Sequence, residues 1–352
     1  MALSSPDSGM LRGVLFSAFL ALLATGLSVC GPLRTLGFSP LVIGILLGIL
    51  FANTLHHRLP ASWEEGIRFS SKKILRFSIV LYGFRITFQE IAQVGMEGFL
   101  VSLIMLTSTF LLGSWLGMRR FGLDRDTAML TASGASVCGA AAVLATEPVL
   151  GAKEHKAVVA VTMVVLFGTV SMFLYPLLYG ALFRDASGFL HLSPAQYGIY
   201  VGGTVHEVAQ VVAASGIQGP GTPMADNAVI VKMTRVLLIA PMLILLGLWL
   251  SRQAAKSDAP GARVTLVIPW FALYFLGAAA FNSLQILPGS LVDRINAADT
   301  FLLTMAMSAL GLGTRFSRFK GLGLAPFYTA LGMFLWLVIG GFLVVKAVTE
   351  LL

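Results

Sequence analysis

Charged residues are scarce in this chain of 352 residues, because Asp, Glu, Lys and Arg together make up only 11% of it. Soluble domains carry about one quarter. Hydrophobic residues make up 57%, and the mean hydropathy is +0.87. Apolar runs long enough for a helix to cross a bilayer recur from end to end. The composition therefore excludes a soluble globular protein. It predicts an all-α integral membrane protein, with 1–352 as a single transmembrane domain and 1–10 as a short cytoplasmic tail.

Cysteine is nearly absent as well, and both cysteines, Cys30 and Cys138, fall inside apolar segments. This usage excludes a disulfide framework and a cysteine-based metal site. The sequence contains no P-loop, no zinc-protease helix motif and no nucleophile elbow. We therefore expect no metal, no cofactor, no enzymatic activity and no ATP-driven transport by this chain alone. The net charge of +8 comes from basic residues scattered over short loops, which argues against nucleic acid binding.

The hydropathy pattern predicts about ten or eleven transmembrane helices. The predicted spans are 12–30, 39–54, 72–88, 98–117, 127–148, 156–180, 196–215, 227–249, 264–284, 298–313 and 323–346. With the N-terminus in the cytoplasm, roughly 15 of the 24 Lys and Arg fall on the cytoplasmic side and about 5 outside. This asymmetry is typical of a multi-pass protein of the bacterial inner membrane.

Two internal similarities indicate a duplicated architecture. Leu75–Phe99 aligns without gaps on Leu303–Phe327, and the predicted spans cross the membrane in opposite directions there. Such a pair is typical of the inverted-topology repeats of secondary transporters. A second similarity, between Ala157–Leu178 and Ala228–Leu246, runs in one direction and does not fit the same symmetry operation.

Ionisable residues at membrane depth are the strongest functional signal, because each costs roughly 3 kcal/mol at the centre of a helix. Four such residues stand out: His206, Glu207, Lys232 and Arg235. Lys232 and Arg235 share one face of a helix, and Gln210 shares another with the His-Glu pair. In one interpretation Glu207 only neutralises a cation and locks two helices. In the other, one carboxylate cannot neutralise two cations, and the remaining positive charge binds an anion.

Small residues inside two predicted spans indicate interrupted helices, with Gly134, Gly139, Gly202 and Gly203 as the candidate break positions. A pair of glycine-interrupted spans is a pointer to a transporter binding site. At each break the N-terminus of a half-helix would present free N–H groups to an anion. Ser136 and Thr204 would add hydroxyl donors. Close helix packing is the alternative explanation for Gly134 and Gly139.

Other small or basic residues have a simpler interpretation. Gly44, Gly48, Gly113 and Gly117 form two G-x-x-x-G patterns that predict close helix packing. Arg76 and Arg85 flank the third span, and we expect them to extend to the membrane interfaces. For Arg85, which is close to Gly83, the alternative is that it lines a cavity. Cys138 is interpreted as a small apolar residue rather than a nucleophile.

Four segments, Ile79–Arg85, Gly134–Gly139, Gly203–Ala213 and Lys232–Arg235, resemble a family of bacterial multi-span membrane proteins named for sulfate export. The resemblance extends over nearly the whole chain and implies a secondary transporter distantly related to cation/proton antiporters and bile-acid symporters, with two broken helices that cross. The positions that match the family pattern are Ser136, Cys138, Gly139, His206, Glu207, Gln210, Lys232 and Arg235. Ala135 and Val137 depart from it, where many relatives have a hydroxyl residue and an isoleucine.

The leading hypothesis is proton-coupled export of a small anion such as sulfate or an organosulfonate. Its predicted substrate ligands are Ser136, Cys138, Gly139, Thr204, Gln210, Lys232 and Arg235, and its predicted proton carriers are His206 and Glu207. A cation/proton antiporter, in which the lysine neutralises helix dipoles and Glu207 binds the ion, is the alternative. A membrane enzyme or sensor that uses the His-Glu pair as acid and base is a third. The expected partners are the anion, a coupling ion and the lipid bilayer, and homodimer formation is left open.

Overall fold

The computed structural model describes residues 8–29, 39–55, 59–255, 270–315 and 323–352, so Cys30 lies outside the described residues. All regular secondary structure in these residues is helical, without a strand among them. Six helices in the described ranges are long and apolar enough to cross a membrane: Ser8–Ser28, Phe88–Arg120, His155–Phe183, Pro223–Arg252, Gly289–Gly313 and Leu324–Leu351. The prediction of an all-α integral membrane protein is confirmed.

The helices are numbered in chain order as α1 Ser8–Ser28, α2 Pro40–Thr54, α3 Glu64–Phe69, α4 Leu75–Tyr82, α5 Phe88–Trp115, α6 Arg125–Ser136, α7 Ala140–Leu150, α8 Glu154–Leu178, α9 Pro194–Thr204, α10 Val208–Ser215, α11 Pro223–Leu237, α12 Ile239–Ala255, α13 Trp270–Ser283, α14 Gly289–Gly313, α15 Leu324–Leu335 and α16 Gly341–Leu351. Each predicted span overlaps one of these helices or two in succession, although residues 264–269 of the predicted span 264–284 lie outside the described residues. Short π-helical or 3-10 turns join α3 to α4 and extend several helix ends.

The chain divides into two compact units. The first comprises Met1–Glu90, Gly216–Gly221 and Trp270–Lys320. Its described core contains the α2–α14 pair, in which a Cβ at Gly48 would lie 2.9 Å from the Cα of Gly311. The G-x-x-x-G pattern of α2 therefore serves close packing, as predicted.

The second unit comprises Ile91–Ser215, Thr222–Pro269 and Gly321–Leu352. It contains both interrupted spans and α11. The second G-x-x-x-G pattern, on α5, also packs closely, because a Cβ at Gly117 would lie 2.7 Å from the Cβ of Ala128. The prediction that 1–352 forms a single transmembrane domain stays a prediction.

The two segments of the predicted repeat have matching helix ends. The helical stretch that contains α4 ends at Arg85, and α14 ends at Gly313, which is the aligned position. The opposite direction of the two crossings stays a prediction.

Candidate functional site

The first interruption separates α6 from α7 at Val137–Gly139. Gly139 has φ 79° and ψ −137°, a conformation that a residue with a Cβ adopts only with strain. The predicted break at Gly139 is therefore confirmed. Gly134 instead lies inside α6, where a Cβ would come within 2.7 Å of a Val143 methyl group. Its prediction as a break residue is wrong, and it provides close packing.

The second interruption separates α9 from α10 at residues 205–207. Val205 is extended, with φ −68° and ψ 144°, so this break needs no glycine. Gly202 and Gly203 belong to the last turn of α9, and their prediction as break residues is wrong. They allow close packing, since a Cβ at Gly202 would lie 2.9 Å from the Cβ of Val231 and one at Gly203 would lie 2.7 Å from Val101.

Lys232 on α11 joins the two interruptions. Its Nζ donates to the carbonyl oxygens of Val137 at 2.7 Å, Val205 at 2.8 Å and His206 at 2.6 Å. An ammonium group has three N–H donors, and all three are used. These carbonyls follow the C-termini of α6 and α9, where a helix carries about half a negative charge. The fully buried Lys232 therefore neutralises two helix ends at once.

Arg235 lies one turn further along the same face of α11 and is also fully buried. Its Nε donates to the Ser136 carbonyl at 2.6 Å and its Nη2 to the Ala135 carbonyl at 2.9 Å, both in the last turn of α6. Its Nη1 is buried and has no hydrogen-bond partner among the described residues. The predicted shared face of Lys232 and Arg235 is confirmed.

Glu207 lies at the opposite ends of the half-helices. Its Oε1 accepts a hydrogen bond from the Ala140 N–H at 3.3 Å, at the start of α7, and its own N–H donates to Gln210 Oε1 at 3.0 Å. Carboxylates are stabilised at a helix N-terminus by the partial positive charge there. Because α10 begins only at Val208, Gln210 meets Glu207 through a side-chain cap rather than across a shared helical face. The buried Gln210 also lies against Gly168.

The predicted hydroxyl ligands are bonded within their own helices. Ser136 Oγ donates to the Ser133 carbonyl at 3.2 Å, and Thr204 Oγ1 donates to the Tyr200 carbonyl at 2.5 Å. A hydroxyl group keeps acceptor capacity after it has donated, so both can still receive a hydrogen bond. Both residues are completely buried.

Cys138 and His206 belong to the two non-helical stretches. Cys138 is a buried free thiol in the first one. His206 is buried in the second one, its carbonyl accepts from Lys232, and its Nδ1 has no partner in the part of the chain that the structure describes. All predicted site residues that lie at the two interruptions and on α11 are therefore brought into one region of the second unit.

Tyr175 on α8 is a further residue of this region that the sequence analysis missed. Its ring stacks on that of Tyr200 with centroids 4.8 Å apart, and its hydroxyl group lies near that of Thr204 and within electrostatic reach of Arg235. The hydroxyl oxygen is buried without a hydrogen-bond partner among the residues described. A tyrosine in an apolar run carries no sequence signal for such a position.

Asp299 on α14, in the first unit, was missed as well. Glu207 is the single acid among the four candidates chosen from the sequence, yet Asp299 is completely buried and Asp226 nearly so. Asp299 Oδ2 pairs with Arg85 Nε at 3.1 Å, so Arg85 does not extend to a membrane interface as predicted. The predicted span began at residue 298 and placed the acid at a helix end, whereas α14 begins at Gly289.

In the described ranges no group of three or more His, Cys, Asp or Glu side chains comes together. The region where residues 137–139 and 205–207 meet at Lys232 is called the crossing below, and its charges can be added. Two cations and one carboxylate leave a surplus of about one positive charge, since the two C-terminal and two N-terminal helix ends, at about half a charge each, cancel. The crossing is therefore electrostatically suited to a negative group.

Comparisons with known proteins agree with the membrane assignment. Residues 12–330 match the family model described as "Conserved hypothetical protein 698". The chain is 48% identical to a UPF0324 membrane protein of Pseudomonas putida, over 98% of this chain and 95% of the relative. It is 44% identical to a UPF0324 membrane protein of Bacteroides thetaiotaomicron, over 97% of this chain and all of the relative. It is 47% identical to the UPF0324 inner membrane protein YeiH of Salmonella typhimurium, over 87% of this chain and 84% of the relative.

Proposed function

This chain belongs to the UPF0324 family of bacterial membrane proteins and is a multi-pass protein of the inner membrane, and we propose that it is a secondary transporter of a small anion. The observation that carries the proposal is the buried Arg235, whose Nη1 is left without an acceptor where two interrupted helices meet. A buried guanidinium donor without a partner is costly, and an oxyanion would supply the missing acceptor.

The arrangement divides the two cations between two tasks. Lys232 has no N–H left for a substrate, because its three donors go to Val137, Val205 and His206. We therefore assign it to holding the crossing together rather than to the anion. Arg235 Nη1 is the donor that remains, because it is buried without a partner among the described residues. The hydroxyl group of Tyr175 lies within electrostatic reach of Arg235 and close to the hydroxyl group of Thr204.

Glu207 supplies a route to proton coupling. Its carboxylate accepts from the Ala140 N–H at the start of α7, the position at which an anion would also bind. Protonation of Glu207 weakens this bond and removes the negative charge that repels an anion. Anion binding is therefore favoured when Glu207 is protonated, and His206, next in the chain, is the second candidate to carry the proton.

This linkage has a consequence for the direction of transport. When a proton and an anion are bound together, they move together, and an inward proton gradient drives uptake. Export, which the family resemblance implied, would then need an outward gradient of the anion. Sulfate and organosulfonates remain the substrates to test first, because Arg235 Nη1 would donate a charge-assisted hydrogen bond to one of their oxygens.

The test is flux of radiolabelled sulfate into proteoliposomes under an imposed pH gradient. Arg235→Gln is expected to lower the initial rate by at least about tenfold, because the lost bond is charge-assisted. Arg120→Gln, which removes an exposed arginine of the same unit, is the matched control. Equal rates for Arg235→Gln and Arg120→Gln would refute the role of Arg235. Absence of any anion flux in the parent protein would refute the substrate class.

A cation/proton antiporter is the second candidate, and one observation favours it. Lys232 neutralises the C-termini of α6 and α9, which is the role of the lysine in the antiporter hypothesis. Glu207, at the start of α7, would then exchange a proton for a cation. Sodium-driven proton movement in sulfate-free proteoliposomes, abolished by Glu207→Gln, would support this candidate. Proton movement that requires the anion and ignores sodium would exclude it.

A further inference from the structure

The first unit contains a buried ion pair that the proposed transport site does not use. Arg85 ends the 3-10 turn Gly83–Arg85, and Asp299 lies on α14. Arg85 Nε donates to Asp299 Oδ2 at 3.1 Å, while its Nη2 donates to Thr300 Oγ1 at 2.8 Å and to the carbonyl oxygen of Asn296. The Asp299 side chain is wholly buried and that of Arg85 is 9% exposed.

Two acceptors beside this pair have no donor. Asp299 Oδ1 and Asn296 Oδ1 are both buried, and neither has a hydrogen-bond partner among the residues that the structure describes. The two residues are three apart on α14, so their side chains lie on the same face of the helix. Two neighbouring acceptors cannot satisfy each other until one of them gains a hydrogen atom.

We propose that Asp299 is a proton-binding site and that the proton resides on Oδ1, from which it is donated to Asn296 Oδ1. Protonation would then satisfy both acceptors with a single hydrogen bond. Arg85 would lose its ionic partner but keep two acceptors, Thr300 Oγ1 and the Asn296 carbonyl oxygen. The site therefore has two self-consistent states, an ion pair and a hydrogen-bonded neutral acid.

A proton fits this site better than a metal cation. Among the described residues two oxygens at this site lack a donor, whereas hard cations such as calcium take six or more oxygen ligands. The guanidinium group of Arg85 also lies against the carboxylate and repels any second cation. A proton needs only one acceptor and one neighbouring oxygen.

Of the charged groups on the described elements that pack against α14, Arg85 is the one that pairs with Asp299. Helix α2 carries no ionisable side chain and α1 carries only Arg12. From the α3–α4 stretch, Glu64 pairs with Arg315 beyond the far end of α14, and Arg76 lies over the ring of Phe271. The remaining charged groups there are Glu65, Arg68, Lys72 and Lys73, none of which forms an ion pair with Asp299 in the described ranges. On α14 itself, Asp293 and Arg294 are exposed.

Proton binding at Asp299 does not require that the protein be a transporter. Only the further assignment of Asp299 as a coupling site rests on the proposed function. The experiment therefore measures protonation on the purified protein and not flux, so that a failed transport assay and a failed proton site give different results.

The measurement is a pH titration followed by infrared difference spectroscopy, which detects the carbonyl stretching band of a protonated carboxylic acid. Asp299→Asn is isosteric with the protonated acid and is expected to remove one titrating band. Asp293→Asn, an exposed acid on the same helix, is the matched control and is expected to keep it. Thermal melts of each variant establish the pH range in which the fold persists.

The direction in which the titration midpoint of Asp299 moves in Asn296→Ala tests the proposed hydrogen bond between Asp299 and Asn296. Asn296→Ala keeps the carbonyl oxygen that Arg85 uses but removes the acceptor for the proton. The titration midpoint is expected to fall by about half to one pH unit, a threefold to tenfold loss of proton affinity. A rise of the midpoint would mean that an amide N–H faces and stabilises the ionised carboxylate, which would overturn the proposal. A titration with no band that depends on Asp299 would overturn it too.

Discussion

Replacement of Lys232 by methionine tests whether this lysine holds the crossing together. Methionine has a similar length but no donor, so the carbonyls of Val137, Val205 and His206 lose the bonds they accept at 2.6 to 2.8 Å. A buried acceptor left unsatisfied costs about 1–3 kcal/mol, which gives about 3–9 kcal/mol by addition. Removal of a buried ammonium group recovers several kcal/mol of desolvation. We expect a net destabilisation of about 3 kcal/mol.

The assay uses a thiol-reactive dye on the purified protein. In a Cys30→Ala background, Cys138 is the single thiol of the chain, and it is buried in the first interruption. Its labelling on heating therefore reports the opening of the crossing itself. Lys346→Met is the matched control, because Lys346 bonds a carbonyl at 3.4 Å and the exposed Glu350 at 3.0 Å, and we expect a change within about 1 kcal/mol. Equal labelling midpoints for Lys232→Met and Lys346→Met would refute the reasoning.

Three further predictions concern single side chains. In thermal melts, Gly139→Ala is expected to destabilise the protein by about 1–3 kcal/mol more than Gly151→Ala. Both glycines have positive φ, but only at Gly139 would the new Cβ meet the Glu207 side chain. Equal effects would contradict the packing at the crossing. Glu207→Gln keeps an oxygen for the α7 N-terminus and is expected to change stability by less than about 1 kcal/mol while making anion flux independent of pH. A pH dependence equal to that of the parent would exclude Glu207 as the proton carrier. Burial opposes ionisation of Asp124, yet hydrogen bonds led by that from Lys156 outweigh it and lower its pKa from 3.8 to about 2. Because the folded state binds this proton more weakly than the unfolded one, the stabilisation is present above about pH 4 and is lost as the pH falls through about 2. The difference in melting temperature between the parent and Asp124→Asn should shrink over that range, and a constant difference would contradict it.

The location of the site was predictable from local sequence, but the roles within it were not. His206, Glu207, Lys232 and Arg235 stand out because ionisable residues are rare and expensive in apolar helices. Their partners are backbone groups, and every residue has the same carbonyl and N–H. The residue types therefore do not predict that Lys232 donates to the carbonyl oxygen of Val137, 95 positions away.

The roles of the four candidate break glycines could not be distinguished from the sequence either. Gly134, Gly139, Gly202 and Gly203 look alike in the sequence, yet only Gly139 has a positive φ. The other three meet neighbouring side chains or backbone at distances that exclude a Cβ. Helix interruption and close packing both favour glycine, for different physical reasons. Only the tertiary structure shows which of the two roles a given glycine has.

What the sequence by itself determined is the class of protein, the placement of the spans and the region of the interrupted helices, because hydropathy and the cost of buried charge act locally along the chain. Only the tertiary structure decided which groups meet. Lys232 satisfies carbonyls from both interruptions, and Arg85 pairs with Asp299 across 214 positions. Pairings at such separations depend on how the helices pack, so the partner of a carboxylate or an ammonium group is set by that packing and not by its neighbours in the sequence.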